Sequence, residues 1–199
     1  MAAGNPELGL ELSALARISE RAASLISRQK EVVVASHVDA DGLTSAGIIS
    51  AALDRAGVER KTLFFRQLDS PALEEIADLG SDLVIFTDLG SGMQSEIVCI
   101  GLSAVVADHH RPHGTGIDLH INPHLVSLDG ATDLSGSGAT FLLARAIAKV
   151  KGHAGGNDDL AGLAIVGAVG DLQDMASGKL VGLNRRILAI GVEAGVHEG

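Results

Sequence analysis

Eight acidic and histidine side chains stand at the ends of four apolar stretches. The stretches "VVVASHVDADG", "LVIFTDLGSG", "AVVADHHRP" and "LAIVGAVGDLQD" carry, in order, His37, Asp39 and Asp41, then Asp88, then Asp108, His109 and His110, and finally Asp171. Carboxylates and imidazoles together suit divalent ions such as Mn²⁺, Fe²⁺, Co²⁺ or Zn²⁺, whereas pure oxygen sets suit Mg²⁺. Two such ions about 3.5 to 4 Å apart can clamp a phosphoryl group during in-line displacement. The residue types therefore point to metal-dependent phosphoryl chemistry.

Each stretch taken alone has a simpler interpretation. Asp88 after a strand could cap a loop, and "HVDADG" could be a turn whose Asp side chains bond the backbone. The triplet at 108–110 could be a polar loop. Acids or histidines nevertheless occur at the end of all four apolar stretches, which favours one common site. Converging acids would also repel one another strongly unless cations were bound between them.

The segments around these residues alternate between strand and helix patterns. Apolar residues at helical spacing predict an amphipathic helix over 7–30. Strands are predicted at 31–36, 61–66, 82–88, 103–108 and 116–123, and helices at 42–57, 70–80 (with Ser70 as cap), 92–101, 136–152, 157–172 and 182–195. This order predicts an α/β fold with a doubly wound, mostly parallel sheet flanked by helices. Open sheets of this kind bind ligands at the carboxyl ends of their strands.

Composition is typical of one globular domain. The 199 residues are 46% apolar, so we expect a single domain over 1–199, with 1–30 as its N-terminal helix and 153–158 as a helix–helix turn. We expect the single cysteine, Cys99, to be a small residue of the core, and the absence of a second cysteine fits a reducing compartment. No stretch approaches the roughly 18 to 20 uncharged apolar residues of a membrane span, which favours a cytoplasmic protein. The net charge of −10 argues against a surface that coats polyanions.

Four motifs resemble those of the DHH phosphoesterase superfamily. They are "SHVDADGLTSAG", "IFTDLGSG", "VVADHHRP" and "IVGAVGDLQD", and the resemblance covers about residues 30 to 190. Within it, "HVDADGLTSA", "SGSGATFLLAR" and "GDLQDM…GKLVGLNRRIL" look most like archaeal RecJ-like single-strand exonucleases, including the type that associates with the GINS replication complex. Motif I is His-x-Asp-x-Asp, unlike that of the related inorganic pyrophosphatases, which favours the nuclease branch.

The resemblance implies a role for each of the eight residues. Two divalent ions are implied, with Mn²⁺ preferred and Mg²⁺ able to substitute. His37 and Asp39 would bind one ion, Asp41, His109 and Asp171 the other, and Asp88 would bridge both. Asp108 would orient an imidazole, and His110 would face the substrate, stabilising phosphate charge or transferring a proton. The implied partners are single-stranded DNA or RNA and the GINS complex. Most relatives also carry a C-terminal substrate-binding domain, which we expect to be absent here.

Two other hypotheses about the function stay open. One is an enzyme for short oligonucleotides or cyclic dinucleotides, as in other branches of the superfamily. The other is a non-catalytic replisome scaffold, against which the complete set of motif acids and histidines counts.

Several further residues receive weaker predictions. The "SGSG" at 135–138 could cradle a phosphate or simply open a helix. Candidate contacts to a nucleic-acid backbone are Arg55, Arg60, Lys61, Arg66 and Arg111. The histidines expected at the surface or in loops are His113, His120, His124, His153 and His197, of which His124 could line the cleft.

Overall fold

The computed structural model describes residues 6–196, with side chains described from residue 12 onward. This part of the chain has five strands and seven α-helices. The strands are β1 (Glu31–His37), β2 (Glu59–Phe65), β3 (Val84–Thr87), β4 (Ala104–Ala107) and β5 (His120–Ile121). The helices are α1 (Pro6–Ile26), α2 (Ala40–Ala56), α3 (Ser70–Ala77), α4 (Gln94–Cys99), α5 (Gly136–Lys151), α6 (Ala161–Gly170) and α7 (Gly182–Glu193).

The strands form one parallel sheet in the order β2-β1-β3-β4-β5. This confirms the predicted α/β class with a doubly wound sheet. The strand order reverses between β1 and β3, which is where such sheets have their ligand-binding crevice. Ser36 pairs with Thr87, and Thr87 pairs with Ala107. The three central strands therefore end at one level. The residues that follow these paired positions, His37, Asp88 and Asp108, lie in the same crevice region.

Alternate strand residues build two apolar layers. Val34, Ile85 and Val105 face a layer that includes residues of α1, α2 and α5, while Phe86 and Val106 face residues of α3 and α4. The inner strands β1, β3 and β4 are largely buried, as parallel strands covered by helices on both faces must be, whereas the edge strand β2 is partly exposed. The sheet is therefore a rigid base for the side chains at its carboxyl edge.

Several element boundaries differ from the sequence prediction, and three of the differences have a clear local cause. α1 ends at Ile26 rather than at residue 30, because 27–30 turn back to start β1. The cap of α3 is Asp69, not Ser70, since the Asp69 carboxylate accepts the Ala72 N–H at 3.0 Å. The predicted strand 116–123 pairs over only two residues, because Asn122 instead caps the short 3₁₀ turn that starts at Pro123.

The predicted helix over 92–101 is divided, and its cysteine is not in the core. A 3₁₀ turn at Ser91–Met93 precedes α4, which has only six residues. Ile97 faces the sheet and is fully buried, whereas Cys99 is exposed. The prediction of Cys99 as core filler was wrong, because so short a helix buries only one narrow stripe.

The longest described helix, α1, carries Arg17, Glu20 and Arg21 among its apolar residues. Within residues 6–196, none of the helices has the length and apolarity that a bilayer span requires.

Candidate metal centre

The structure brings all eight predicted site residues to one edge of the sheet. Ligand-type atoms lie within 4.8 Å of one another in each of three overlapping groups. The groups are His37, Asp39 and Asp88; Asp41, His109 and Asp171; and Asp88, Asp108, His109 and His110. Seven of these residues end or follow β1, β3 or β4, or lie at the start of α2. Asp171 arrives differently, at the C-terminal end of α6.

Asp88 lies at the centre of the cluster. Its Oδ1 is 3.3 Å from His109 Nε2, and its Oδ2 is 3.6 Å from His37 Nδ1. The side chain is 1% exposed, and neither oxygen has a well-aligned hydrogen bond from the described residues. Burial, reinforced by the charges of Asp41 and Asp108, raises the pKa of Asp88 to about 8. A buried carboxylate without donors fits a position between cations.

The backbone and a neighbouring glycine hold Asp88 in this position. Its φ is 55°, in the left-handed region that Asp tolerates better than most non-glycine residues. A β-carbon at Gly136 would come within 2.5 Å of Asp88 Oδ1, so the first turn of α5 can approach only because residue 136 is glycine. Strained backbone of this kind concentrates at functional sites.

His37 presents one ring nitrogen to the carboxylates and has the other fixed by the backbone. Nε2 lies 3.2 Å from the Arg66 carbonyl oxygen. Because a carbonyl can only accept, Nε2 carries the hydrogen. In the neutral ring, Nδ1 then carries a lone pair. It lies 2.7 Å from Asp39 Oδ2 and 3.6 Å from Asp88 Oδ2. This is the second hydrogen bond that metal-ligating histidines usually make.

His109 repeats the arrangement with its nitrogens exchanged. Nδ1 lies 2.6 Å from the Gly130 carbonyl oxygen. Nε2 faces Asp88 Oδ1, Asp171 Oδ2 at 3.7 Å and Asp41 Oδ2 at 3.9 Å. Burial opposes protonation of this ring, but the close Asp88 carboxylate and the other surrounding acids raise the pKa of His109 to about 10. The cluster therefore recruits a positive charge, and a divalent ion would compete with this proton.

Asp41 is held by the first turn of α5. Its two oxygens accept the Gly136 N–H at 2.7 Å and the Ser137 N–H at 3.0 Å. Burial raises the pKa of this carboxyl, against the effect of those hydrogen bonds. The "SGSG" segment therefore begins a helix whose first N–H groups bind the chain's own Asp41 carboxylate. These N–H groups are the donors that a phosphate cradle would need, so the structure does not support that alternative.

Asp39 is held by α2, which it caps. The carboxylate accepts the Gly42 N–H at 2.9 Å. Partial burial acts against ionisation, but this hydrogen bond and the His37 charge lower the pKa of Asp39. Asp39 is thus an ionised oxygen donor on the exposed side of the cluster.

Asp108 differs from Asp88 because its oxygens are fully engaged. Oδ1 accepts the His109 and His110 N–H groups and lies 2.8 Å from His110 Nδ1, while Oδ2 accepts the Ser91 N–H. Despite its burial, the hydrogen bond and charge of His110 hold the pKa of Asp108 well below its usual range. The same hydrogen bond raises the pKa of His110. Asp108 therefore orients the half-exposed His110 imidazole at the mouth of the site and favours its protonated form.

The sequence analysis did not identify a buried polar network behind the cluster. Ser91 Oγ lies 2.8 Å from His120 Nε2, and the Asn122 amide donates to Ser91 Oγ and to the His110 carbonyl oxygen. His120 is 2% exposed, so its prediction as a surface or loop residue was wrong. Burial lowers the pKa of His120 to about 4. No motif or spacing distinguishes these three residues, because only the folded chain brings them together.

The remaining weaker predictions have mixed outcomes. His113 and His153 are exposed as expected, and His197 lies outside the described residues. His124 is half-buried, and its ring is close enough to Gly130 that a β-carbon there would lie 2.7 Å from Nε2. Among the cationic candidates, Arg55 pairs with Asp159 and Arg60 pairs with Asp54, whereas Lys61, Arg66 and Arg111 are exposed.

A cavity of about 280 Å³ opens beside the cluster at the point where the strand order reverses. Its walls include His37 and His110 on the metal side, the apolar side chains of Leu68, Leu89 and Met93, and Arg66 at the rim. Its volume is just below the usual range of ligand pockets, about 300 to 1,000 Å³.

The chain is similar to two curated proteins. The uncharacterized protein MJ0831 of Methanocaldococcus jannaschii is 34% identical over 163 residues, which cover 78% of this chain and 35% of the relative. The single-stranded-DNA-specific exonuclease RecJ of Bacillus subtilis is 26% identical over 196 residues, 92% of this chain and 24% of the relative. The chain thus spans about a third or less of the length of these relatives.

A solved structure and a family model extend the similarity. The crystal structure of exonuclease RecJ bound to manganese matches with a TM-score of 0.71 and 26% identity, over 88% of this chain and 47% of that one. The model of the DHH family, N-terminal domain, matches residues 31–168, which include seven of the eight clustered residues and stop just before Asp171. The chain belongs to the DHH family, whose N-terminal domain forms most of it.

Proposed function

We propose that this chain is the catalytic domain of a metal-dependent phosphodiesterase, a RecJ-like exonuclease that hydrolyses single-stranded nucleic acid with two divalent ions. The observation that carries the proposal is the buried Asp88 carboxylate between the ring nitrogens of His37 and His109. The ions, when bound, supply the Lewis-acid chemistry that phosphoryl displacement requires. Similarity to single-strand-specific RecJ and to its manganese complex supports the substrate class and the metal.

Two sets of residues would hold the ions. His37 and Asp39 form one set, and Asp41, His109 and Asp171 form the other, with Asp88 shared between them. The mixture of nitrogen and oxygen donors favours Mn²⁺, with Mg²⁺ as a poorer substitute. The unpartnered oxygens of Asp88 support its bridging role, whereas the fully engaged oxygens of Asp108 support its role outside the ligand set.

His110 would act on the substrate. Its Nδ1–H is directed at Asp108, so the Nε2–H of the protonated ring can approach a phosphate oxygen or a leaving group. A donor in that position stabilises negative charge that develops during displacement and can deliver a proton. Asp108 holds the ring in this orientation and keeps it charged.

A second candidate is a phosphodiesterase for short oligonucleotides or cyclic dinucleotides. The small cavity beside His110 favours it, because its volume suits one nucleotide rather than a long strand. The ion pairs that occupy Arg55 and Arg60 also reduce the cationic surface available to a long backbone. The scaffold role, association with the GINS complex, a cytoplasmic location and the single-domain assignment stay predictions from the sequence.

The distinguishing experiment measures hydrolysis of end-labelled single strands of increasing length, and of a matched duplex, with Mn²⁺ present. The proposal predicts processing of long single strands, protection of the duplex and loss of activity on chelation. Cleavage restricted to the shortest substrates would instead establish the second candidate. Activity that persists in chelator would contradict both.

A further inference from the structure

Gln173 is a buried amide that contacts two of the proposed metal ligands at once. Its side chain is 2% exposed and lies in the turn after α6. Nε2 donates to Asp171 Oδ2 at 3.0 Å and to the Gly130 carbonyl oxygen at 2.8 Å. The same Gly130 oxygen accepts the Nδ1–H of His109 at 2.6 Å. One amide group therefore fixes Asp171 directly and His109 through a shared carbonyl.

The orientation of this amide is determined by its neighbours. The two oxygen atoms that Nε2 contacts can only accept, so the NH₂ group must face them. His109 Nδ1, 3.3 Å from Nε2, directs its own hydrogen at the Gly130 oxygen. The amide oxygen points the other way, where Asn184 of α7 donates to it at 2.6 Å. The opposite rotation of Gln173 would place oxygen against oxygen on one side and NH₂ against NH₂ on the other.

Asn184 is itself held in one orientation. Its Oδ1 accepts the Ser135 N–H at 3.3 Å, and its Nδ2 also approaches the Thr132 carbonyl oxygen at 3.3 Å. The side chain is 1% exposed. α7 therefore anchors the Gln173 amide against the segment that enters α5, on the side away from the cluster.

The two groups that Gln173 holds have few other supports. Asp171 follows the last turn of α6, is 30% exposed in its side chain, and receives its one side-chain hydrogen bond in the described residues from Gln173. The next residue, Leu172, has a φ of 59°, so the chain reverses here without a glycine. The Gly130 carbonyl decides which nitrogen of His109 faces the carboxylates.

We propose that Gln173 is a positioning residue that holds Asp171 and His109 in the orientation needed to bind one of the two ions, and that Asn184 anchors it. This rests on the proposed metal function but concerns one half of the site. Partners that orient metal ligands typically contribute 10- to 100-fold to metal affinity. Loss of the amide donors should therefore weaken the Asp41–His109–Asp171 ion and leave the His37–Asp39 ion almost unchanged.

The test compares Gln173→Met with Gln94→Met. Gln94 is a matched control, since it is also buried, lies in α4, and donates from its amide to the Gly114 carbonyl oxygen, outside the three groups of ligand-type atoms. Metal is first removed from the protein with a chelator, which is then washed out. Mn²⁺ is titrated in, and the electron paramagnetic resonance signal of the free ion gives the number and affinity of the bound ions. Gln173→Met should retain one tight ion and bind the other about 10- to 100-fold more weakly. Gln94→Met should match the parent.

Each outcome decides the question. Equal Mn²⁺ binding by the parent and Gln173→Met, or equal weakening of both ions, would overturn the positioning role. If Gln173→Met fails to fold, Asn184→Ser replaces it, because this change loosens the anchor without touching a ligand, and unchanged binding there would also overturn the proposal. A parent that binds fewer than two ions would instead contradict the two-ion function, which separates the two failures.

Discussion

Nε2 of His109 lies 3.3 Å from Oδ1 of Asp88, while Nδ1 of the same ring lies 2.6 Å from the Gly130 carbonyl oxygen. The backbone thus dictates which nitrogen faces the acids. His37 has the opposite ring orientation and reaches the other oxygen of Asp88. Two imidazoles directed at the two oxygens of one buried carboxylate give the cluster the form expected of a bridged pair of ions.

Asp88→Asn should reduce phosphodiesterase activity more than any other single change in the cluster. Asparagine tolerates the positive φ at this position, so the variant removes the charge without adding backbone strain. The loss should exceed the roughly 10- to 100-fold typical of residues that only orient ligands. Steady-state rates with Mn²⁺ measure it, with Asp82→Asn at the opposite end of β3 as the control. Near-parental activity of Asp88→Asn would exclude a bridging role.

The same variant should be more stable than the parent when metal is chelated at high pH. The pKa of Asp88, raised to about 8, means that the folded state holds a proton which the unfolded chain releases near pH 4. The parent therefore loses stability as the pH rises from about 4 to 8, and the neutral asparagine does not. Melting temperatures in chelator at about pH 5 and pH 9 test this. An advantage for Asp88→Asn that does not grow with pH would contradict it.

Mn²⁺ should support activity at lower concentration than Mg²⁺. Once an ion displaces any proton there, His37 and His109 can each direct one ring nitrogen at it. Mn²⁺ accepts nitrogen ligands more readily than Mg²⁺, an ion that prefers oxygen and retained water. Rates measured against the free concentration of each ion give the comparison. Half-maximal activation by Mg²⁺ at or below the Mn²⁺ value would argue that the histidines do not bind the ions.

His120→Asn should remove part of the acid sensitivity of folding. Burial lowers the pKa of His120 to about 4, so its neutral form contributes fully above about pH 6.5, and this contribution is lost as the pH falls towards 4. The free energy of unfolding that is lost in this way is roughly 3 kcal/mol at most. The stability difference between parent and variant, from urea unfolding in chelator, should shrink over that range. His113→Asn, at an exposed position, should show no such trend.

The sequence was sufficient to predict where the acids and histidines meet. Alternating strand and helix patterns imply parallel strands, and parallel strands end at one edge, so Asp88 and the 108–110 triplet had to lie near His37. The apolar strands also predicted a sheet flanked by helices, and such a sheet has apolar layers on both faces. These features depend on periodicity, which a single chain displays directly.

Other parts of the site depend on contacts between distant segments. Gln173 and Asn184 are ordinary polar residues until α6 and α7 pack against the loop that holds Gly130. Nothing in the sequence distinguished the buried His120 from the exposed His113, and the pairing of Arg55 with Asp159 joins residues over a hundred positions apart. Short elements such as β5 were also misjudged, because capping by Asn122 decided their ends.

The most direct test of the two-ion centre is anomalous scattering from crystals of this chain soaked in Mn²⁺. The structure predicts two peaks, one on each side of Asp88, separated by about 3.5 to 4 Å. One peak should lie beside His37 and Asp39, and the other beside His109, Asp41 and Asp171. A single peak, or the absence of any peak within coordination distance of Asp88, would contradict it.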